Sequence, residues 1–121
     1  MLVRFAELVP ELPRALSYPE DRLGLTRTPL SAPVVRGALL AARLALPHRL
    51  GGMLARARAT VASLHEALVT AQTVERCHRL GVPLIVWTVD DPERVRALDA
   101  LGVDAVVSDD PRMALATLSA L

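Results

Sequence analysis

Residues 82–111 read VPLIVWTVDDPERVRALDALGVDAVVSDDP, and the predicted fold depends on this stretch. The apolar run at 84–89 is rich in β-branched residues, which predicts a strand buried on both faces. Asp91 and Pro92 then form a helix-start signal, because the carboxylate caps free backbone N–H groups and proline is tolerated at the first helical position. Apolar residues recur at helical spacing up to Gly102, which ends the helix: Val95, Leu98 and Leu101.

The second part of the stretch repeats the first. Residues 103–107 predict another buried strand, and Asp110 with Pro111 repeats the helix start. Two such steps in succession predict βαβ units, in which right-handed crossovers join parallel strands.

The rest of the chain is assigned from apolar periodicity and from the residues that break it. Thr70 is the expected N-cap of a further helix and Gly81 its end. Pro47, Gly51 and Gly52 are expected to interrupt helical structure. The remaining predicted elements are, in chain order, the end of a helix at 3–12, a strand at 14–18, a loop at 22–33, a helix at 34–46, a helical turn at 53–58, a strand at 60–64, and helices at 71–80, 93–101 and 112–120.

This alternation predicts an α/β fold with about four βα units. The residues alone leave an open doubly wound sheet and a barrel as alternatives. At 121 residues, with 52% hydrophobic and 22% charged residues, the chain is one domain or part of one, and disorder is excluded. The single cysteine, Cys77, favours a reducing, cytoplasmic compartment. The N-terminal residues are unlike a signal peptide, and no apolar run approaches the roughly 20 residues of a membrane span.

Two motifs carry a family resemblance. WTVDDPE at 87–93, followed by GVDAVVSDDP at 102–111, resembles the C-terminal signature of the glycerophosphodiester phosphodiesterases. Three positions depart from the family's usual residues: Asp90 for Asn, Ala105 for Gly and Ser108 for Thr. The resemblance implies the C-terminal half of a (βα)8 TIM barrel with a helical insert. We expect residues 1–121 to be one partial barrel domain, with a basic helical insert at 22–58 and the closest match to the family at 59–118.

In barrels of this class, function lies at the C-terminal ends of the strands. The candidate positions are Tyr18, His65 with Glu66, residues 87–91 and residues 108–110. By resemblance, Trp87 is a wall of the substrate pocket and packs against glycerol, and His65 faces the same site. The alternatives are a core aromatic residue and a histidine in a surface loop.

Other polar residues are interpreted more plainly. His48 and His78 are expected to be structural or exposed, because three histidines and one cysteine at these positions match no metal-ligand spacing. Asp90 and Asp109 at strand ends are candidates for cation binding or acid–base work. We expect them instead to form turns, and Asp91 and Asp110 to cap helices.

The catalytic residues of the family are missing from this chain. By resemblance the family uses a His-Arg motif, acidic metal ligands, a second His and a Lys, whereas the chain has no Lys and no His-Arg-Gly. We therefore assign no catalytic residue and no metal ligand. The intact enzyme would use a divalent cation, Ca²⁺ or Mg²⁺, to hydrolyse glycerophosphodiesters to glycerol 3-phosphate and an alcohol. This chain alone is expected to bind no cation and to be inactive, with the missing N-terminal half or a second copy as its partner.

Charge is distributed unevenly along the chain. Residues 22–65 contain seven Arg and no acidic residue, although the formal net charge of the chain is only +1. The basic insert has three interpretations: a cover over the barrel end, weak membrane-surface contact through 33–58, or a nucleic-acid patch. A protein cover is favoured. Nucleic acid is expected not to bind, because no aromatic residues are interleaved with the arginines.

Two further hypotheses for the whole chain stay open at this point. One is a free-standing degenerate half-barrel that dimerises or binds another protein. The other is an unrelated α/β barrel that binds phosphate near the turns after Val89 and Val107.

Overall fold

A computed structural model describes residues 2–18 and 33–121. The predicted loop at 22–33 lies outside these residues except for Pro33. In chain order, the elements are α1 (Leu2–Leu8), β1 (Ala15–Tyr18), α2 (Pro33–Ala57), β2 (Val61–His65), a 3-10 turn (Glu66–Leu68), α3 (Ala71–Arg79), β3 (Leu84–Trp87), α4 (Pro92–Leu101), β4 (Ala105–Val106) and α5 (Pro111–Ser119).

The strands form one parallel sheet whose spatial order is the chain order, β1-β2-β3-β4. Tyr18 lies opposite Leu64, and His65 lies opposite Trp87. When right-handed crossovers join parallel strands that follow one another in a single direction, every connecting helix falls on the same face of the sheet. The sheet is therefore a segment of barrel wall, and the doubly wound alternative is wrong.

The hydrophobic core lies between the helices and one face of the sheet. This face is formed by alternate strand residues, including Leu64 from β2 and Leu84 and Val86 from β3, all of them fully buried. Helices α2, α3 and α4 contribute apolar side chains to the same cluster: Leu46, Leu50, Leu54, Val74, Cys77, Val95 and Leu98. Burial of these side chains supplies the main driving force for folding.

The opposite face of the sheet is more open. Ser17 is exposed, and Ser63 and Ile85 are only partly buried. In a closed barrel this face lines the interior, which is filled by side chains from all eight strands. Small and polar residues in the middle of the face leave room for such side chains, so the segment shown here is an incomplete wall.

The helix boundaries follow the predicted capping signals. Asp91 caps α4 and Asp110 caps α5, each with proline at the start of the helix. Thr70 caps α3 through a reciprocal pair of hydrogen bonds with Thr73. Gly102, which ends α4, has a φ of +88° that favours glycine over other residues.

The predicted break in the second helix is wrong. α2 runs without interruption through Pro47 and both glycines, over all 25 residues from Pro33 to Ala57. Proline removes one backbone hydrogen bond, but Pro47 is itself buried beside Leu46 and Leu50, and this packing outweighs the local cost. Gly51 allows close approach of α3, since a Cβ there would lie 3.1 Å from an Arg76 guanidinium nitrogen.

Three other elements are shorter than predicted. α1 ends at Leu8 rather than residue 12, and β3 ends at Trp87 rather than residue 89. β4 covers only Ala105–Val106 instead of 103–107. β4 is an edge strand and bonds to β3 alone among the described strands, so fewer of its residues form regular ladder pairs. Val89 still donates to the Val107 carbonyl at 2.9 Å, which extends the contact between the two segments.

Candidate substrate-pocket wall

The carboxyl ends of parallel strands lie at one edge of a sheet, here called the site edge. His65 and Trp87 are the last residues of β2 and β3 and occupy paired register positions at this edge. Their rings meet edge-on, with centroids 5.1 Å apart and an angle of 87° between the ring planes. The structure thus brings together the two residues singled out as pocket candidates.

His65 is held in one orientation by its own loop. Its Nδ1 accepts a hydrogen bond from the backbone N–H of Ala67 at 3.1 Å, inside the 3-10 turn. An acceptor at Nδ1 requires the proton of the neutral ring to be on Nε2. His65 is therefore an ordered, half-buried ring, and the surface-loop alternative does not describe it.

Trp87 is half-buried, and its indole nitrogen is the unusual atom of the site. Nε1 is enclosed and has no hydrogen-bond partner among the described residues. Because this atom is shielded by the chain itself, the remaining exposed surface of Trp87 is apolar ring. That surface is suited to packing against a carbon skeleton rather than to donating a hydrogen bond.

Arg94 fixes the loop that follows His65, a role that no sequence motif predicted. Its Nε donates to Glu66 Oε2 at 2.8 Å, and its NH2 donates to the Glu66 carbonyl at 2.6 Å. The same NH2 lies 3.4 Å from the Val69 carbonyl. The contact spans 28 residues of sequence, so no local pattern predicts it. A guanidinium that donates to both a side chain and the backbone of one loop fixes that loop in place.

The carboxylates at the site edge serve as hydrogen-bond acceptors. Asp90 Oδ1 accepts from the Ser108 hydroxyl at 3.0 Å and from the Asp109 backbone N–H at 2.8 Å. This joins the loop after β3 to the loop after β4. Asp91 and Asp110 accept from the backbone at the starts of α4 and α5, as the capping prediction requires. An Asn at position 90 would retain the acceptor oxygen.

The divalent cation implied by the family finds no set of ligands in this part of the chain. Among the described residues, no group of three or more His, Cys, Asp or Glu side chains is placed to hold a metal ion. Asp90 is bonded to Ser108 and Asp109, and His78 contacts the Gly102 carbonyl at 3.1 Å through Nε2.

The candidate Tyr18 and the single cysteine, Cys77, do not face the site. Tyr18 ends β1, but its register position beside Leu64 places it on the helix-covered face, and it packs against the core. Cys77 is buried in α3, where burial and then the negative charge of Asp104 raise the pKa of its thiol to about 11. Asp104 itself accepts a hydrogen bond from the Leu84 N–H at 2.8 Å, at the opposite end of β3 from Trp87.

Comparison with protein-family models matches residues 14–113 to the glycerophosphoryl diester phosphodiesterase family. A glycerophosphodiester phosphodiesterase of Caldanaerobacter subterraneus subsp. tengcongensis is 40% identical over 43 residues, which are 36% of this chain and 18% of that protein. A glycerophosphodiester phosphodiesterase of Arabidopsis thaliana is 36% identical over 55 residues, or 46% of this chain and 17% of the relative.

Solved structures show the same fold over nearly the whole chain. An Oleispira antarctica phosphodiesterase in complex with the product sn-glycerol-3-phosphate superposes with a TM-score of 0.70 at 19% identity, over 98% of this chain and 38% of that one. A Silicibacter pomeroyi protein provisionally assigned as a glycerophosphoryl diester phosphodiesterase superposes with a TM-score of 0.66 at 26% identity. The superposition covers 98% of this chain and 34% of that one. The chain thus forms part of a TIM barrel and spans less than half the length of the proteins it matches.

Within the described ranges, no helix is long and apolar enough to cross a membrane.

Proposed function

Because the chain belongs to the glycerophosphoryl diester phosphodiesterase family, we propose that it forms the C-terminal four βα units of such an enzyme's barrel. In this proposal residues 1–121 are one partial domain, with residues 22–58 inserted and residues 59–118 closest to the family. The intact cytoplasmic enzyme hydrolyses glycerophosphodiesters to glycerol 3-phosphate and an alcohol. The unrelated phosphate-binding barrel is set aside by the family match.

The observation that carries the proposal is the contact of His65 with Trp87 at the site edge. An edge-on aromatic pair holds the indole in one orientation and leaves an apolar surface beside a polar one. Glycerol 3-phosphate has a short carbon skeleton next to charged oxygens, so it matches such a surface. The Oleispira antarctica relative is in complex with that product. In this account Trp87 is a wall of the pocket, and His65 and Arg94 are positioning residues.

This chain contributes binding surface and not the reacting groups. Attack on a phosphodiester requires an acid–base pair and, in this family by resemblance, a divalent cation. Neither a His pair at the site edge nor a set of metal ligands is present among the described residues. We therefore expect the reacting groups to come from the missing N-terminal half of the barrel. That half would pair with the free edges of β1 and β4 and cover the open face.

Reassembly of the barrel from two polypeptides tests the proposal. The 121-residue chain, labelled with 5-fluorotryptophan, gives one ¹⁹F resonance because Trp87 is its only tryptophan. It is mixed with the N-terminal half of a family member's barrel, ending before the strand equivalent to β1. We expect hydrolysis of glycerophosphocholine that neither half shows alone, and a shift of the ¹⁹F resonance when glycerol 3-phosphate is added.

The matched variants are Trp87→Ala and Trp87→Phe. Loss of the large apolar surface in Trp87→Ala should lower kcat/KM of the mixture roughly tenfold or more, whereas Trp87→Phe keeps much of it. An active mixture whose kcat/KM is the same with Trp87→Ala would refute the pocket-wall assignment. Activity of the unmixed chain would refute the assignment of the reacting groups to the other half.

The second candidate function is a free-standing half-barrel that self-associates. The observation in its favour is that the described sheet has two free edges and an open face, which a second copy would also cover. A stable dimer that does not bind the N-terminal half of a family member would favour this function over the first.

A further inference from the structure

The N-terminal part of α2 lies toward the site edge and is less buried than the rest of the helix. All the fully buried residues of this helix lie between Leu46 and Leu54. Leu39 and Ala42 are partly buried and also pack against the core, and the helix contacts the 3-10 turn at the site edge. A connecting helix runs antiparallel to the strands it joins, so the residues that precede Leu46 lie toward the site edge. We call residues 33–45 the arm. At 1.5 Å per residue it is about 20 Å long.

The arm carries an exposed apolar stripe. Val34, Leu40 and Leu44 are 83%, 57% and 64% exposed, and they are the large apolar side chains of this stripe. The other exposed residues between them are Arg36 and three small residues, Gly37, Ala38 and Ala41. The stripe continues along the same face to His48, which follows Leu44 by one turn. Exposed apolar residues that form a stripe at helical spacing mark an interaction surface.

A basic groove lies where the stripe ends. It has a volume of about 420 Å³ and is open to solvent between α2 and α3. Its lining is Pro47, His48, Gln72, Glu75, Arg76 and Arg79. Glu75 is paired with Arg79 at 2.6 Å. Arg76 is half-buried beside Gly51 and has no carboxylate partner among the described residues, so its charge is available to an anion.

We propose that the stripe and the groove together dock this protein on an anionic lipid membrane. The apolar side chains of the arm enter the interfacial layer, and the groove contacts lipid phosphates. The charge of the surface supports this partner, because α2 carries four Arg and no acidic residue over its 25 residues. Apolar side chains next to arginines are the composition that lies in a membrane interface and is attracted to anionic headgroups.

The missing barrel half is a poor occupant for this surface. It would join the sheet at the edges of β1 and β4, whereas α2 crosses between β1 and β2 and packs against α1 and α3. A protein cover accounts for the core-facing side chains of α2, including Leu39 and Ala42, but leaves the stripe exposed. The inference goes beyond the proposed enzymatic role and does not depend on it.

Vesicle co-sedimentation of the 121-residue chain tests the docking surface. Vesicles of phosphatidylcholine alone are compared with vesicles that also contain phosphatidylglycerol. We expect binding to the anionic vesicles that weakens as NaCl is raised. Leu40→Gln with Leu44→Gln should lower the partition coefficient roughly tenfold or more. Arg76→Gln should lower it roughly fivefold.

The control variant is Leu115→Gln on α5, because Leu115 is 66% exposed and so matches Leu44 in exposure. It should bind as the unchanged chain does, and circular dichroism should show all variants folded. Equal binding to neutral and anionic vesicles would overturn the proposal. So would a decrease in the partition coefficient with Leu115→Gln as large as that with Leu40→Gln and Leu44→Gln. Failure of the chain to bind any vesicle would also overturn the proposal. If the Leu40 and Leu44 substitutions then lowered the mass of the protein in solution, the occupant of the stripe would be a second copy. Neither result would affect the half-barrel mixing experiment.

Discussion

The ring of His65 packs edge-on against the indole of Trp87, with centroids 5.1 Å apart, at the carboxyl ends of two paired strands. The loop that follows His65 holds this ring in place. Ala67 donates to His65 Nδ1, and Arg94 holds the turn that contains Ala67 through its bonds to Glu66. Arg94, in α4, therefore helps to set the orientation of the His65 ring at the end of β2.

Replacement of His65 by Ala should destabilise the chain. It removes the ring contact with Trp87 and the acceptor for the Ala67 N–H. We expect a loss of roughly 1–2 kcal/mol in the free energy of unfolding, measured by urea denaturation, with a shift in Trp87 emission. His48→Ala is the control, because His48 is exposed, and it should change stability by less than about 0.5 kcal/mol. An equal cost for the two variants would mean that the His65–Trp87 contact contributes little.

Arg94 and Arg96 lie on the same helix and provide a matched pair of substitutions. Arg94→Gln breaks a half-buried ion pair with Glu66 and the bond to its carbonyl, so we expect a loss of roughly 1–2 kcal/mol in urea denaturation. Arg96→Gln breaks an exposed pair with Glu93 three residues away, for which about 0.5 kcal/mol or less is expected.

The Arg94→Gln substitution should also change the environment of Trp87. In the chain labelled with 5-fluorotryptophan, Arg94→Gln should shift or broaden the Trp87 resonance, and Arg96→Gln should leave it in place. If both variants gave the same spectrum and the same stability, Arg94 would not be a positioning residue.

Two glycines should respond to alanine in opposite directions. Gly102 has a φ of +88°, and a Cβ there would lie 3.4 Å from His78 Cε1, so Gly102→Ala should cost roughly 1–2 kcal/mol. Gly37 is helical and exposed, and a Cβ there meets nothing within 4 Å. Gly37→Ala should therefore stabilise the chain by up to about 1 kcal/mol. Thermal unfolding of both variants measures this, and destabilisation by Gly37→Ala would show that the arm is not helical in solution.

The Cys77 thiol predicts a dependence of stability on pH. Burial, together with the charge of Asp104, raises the pKa from 9.0 to about 11. Between these values the unfolded chain has lost the thiol proton and the folded chain retains it. The contribution is therefore complete below pH 9 and is lost as the pH rises toward 11. Urea denaturation across this range should show a decline in stability that Cys77→Ala lacks. A decline of the same size in Cys77→Ala would assign it to other groups.

The reactivity of Cys77 gives a second measure of the same effect. At pH 8 only a small part of the folded chain carries a thiolate, and the sulfur is fully buried. Labelling by a thiol reagent should be at least roughly 100-fold slower in the native chain than in urea. Rapid labelling of the native chain would contradict the burial of this residue.

Much of the fold was accessible from the sequence because its signals are local. Asp91-Pro92 and Asp110-Pro111 start helices at the predicted residues, since a cap depends only on its own turn. The family resemblance of the motif around Trp87 is confirmed by the match over residues 14–113.

The errors came from contacts between distant parts of the chain. Pro47 and Gly51 are helix breakers by propensity, but α2 continues through them because Leu46, Leu50 and Leu54 are buried against the sheet. The part played by Arg94 depends on Glu66 in another loop. The strand-end position of Tyr18 did not reveal that its side chain lies on the core face, which only the register with β2 shows.

The central claim is that this chain supplies a wall of a phosphodiesterase barrel and lacks the reacting groups. It is tested most directly by size-exclusion chromatography with light scattering, with assay of the same peak for glycerophosphocholine hydrolysis in the presence of Ca²⁺ or Mg²⁺. We predict a folded peak without activity, and activity only after the N-terminal half of a family barrel is added. Hydrolysis that co-elutes with the chain alone and persists after purification by a second method would contradict the account.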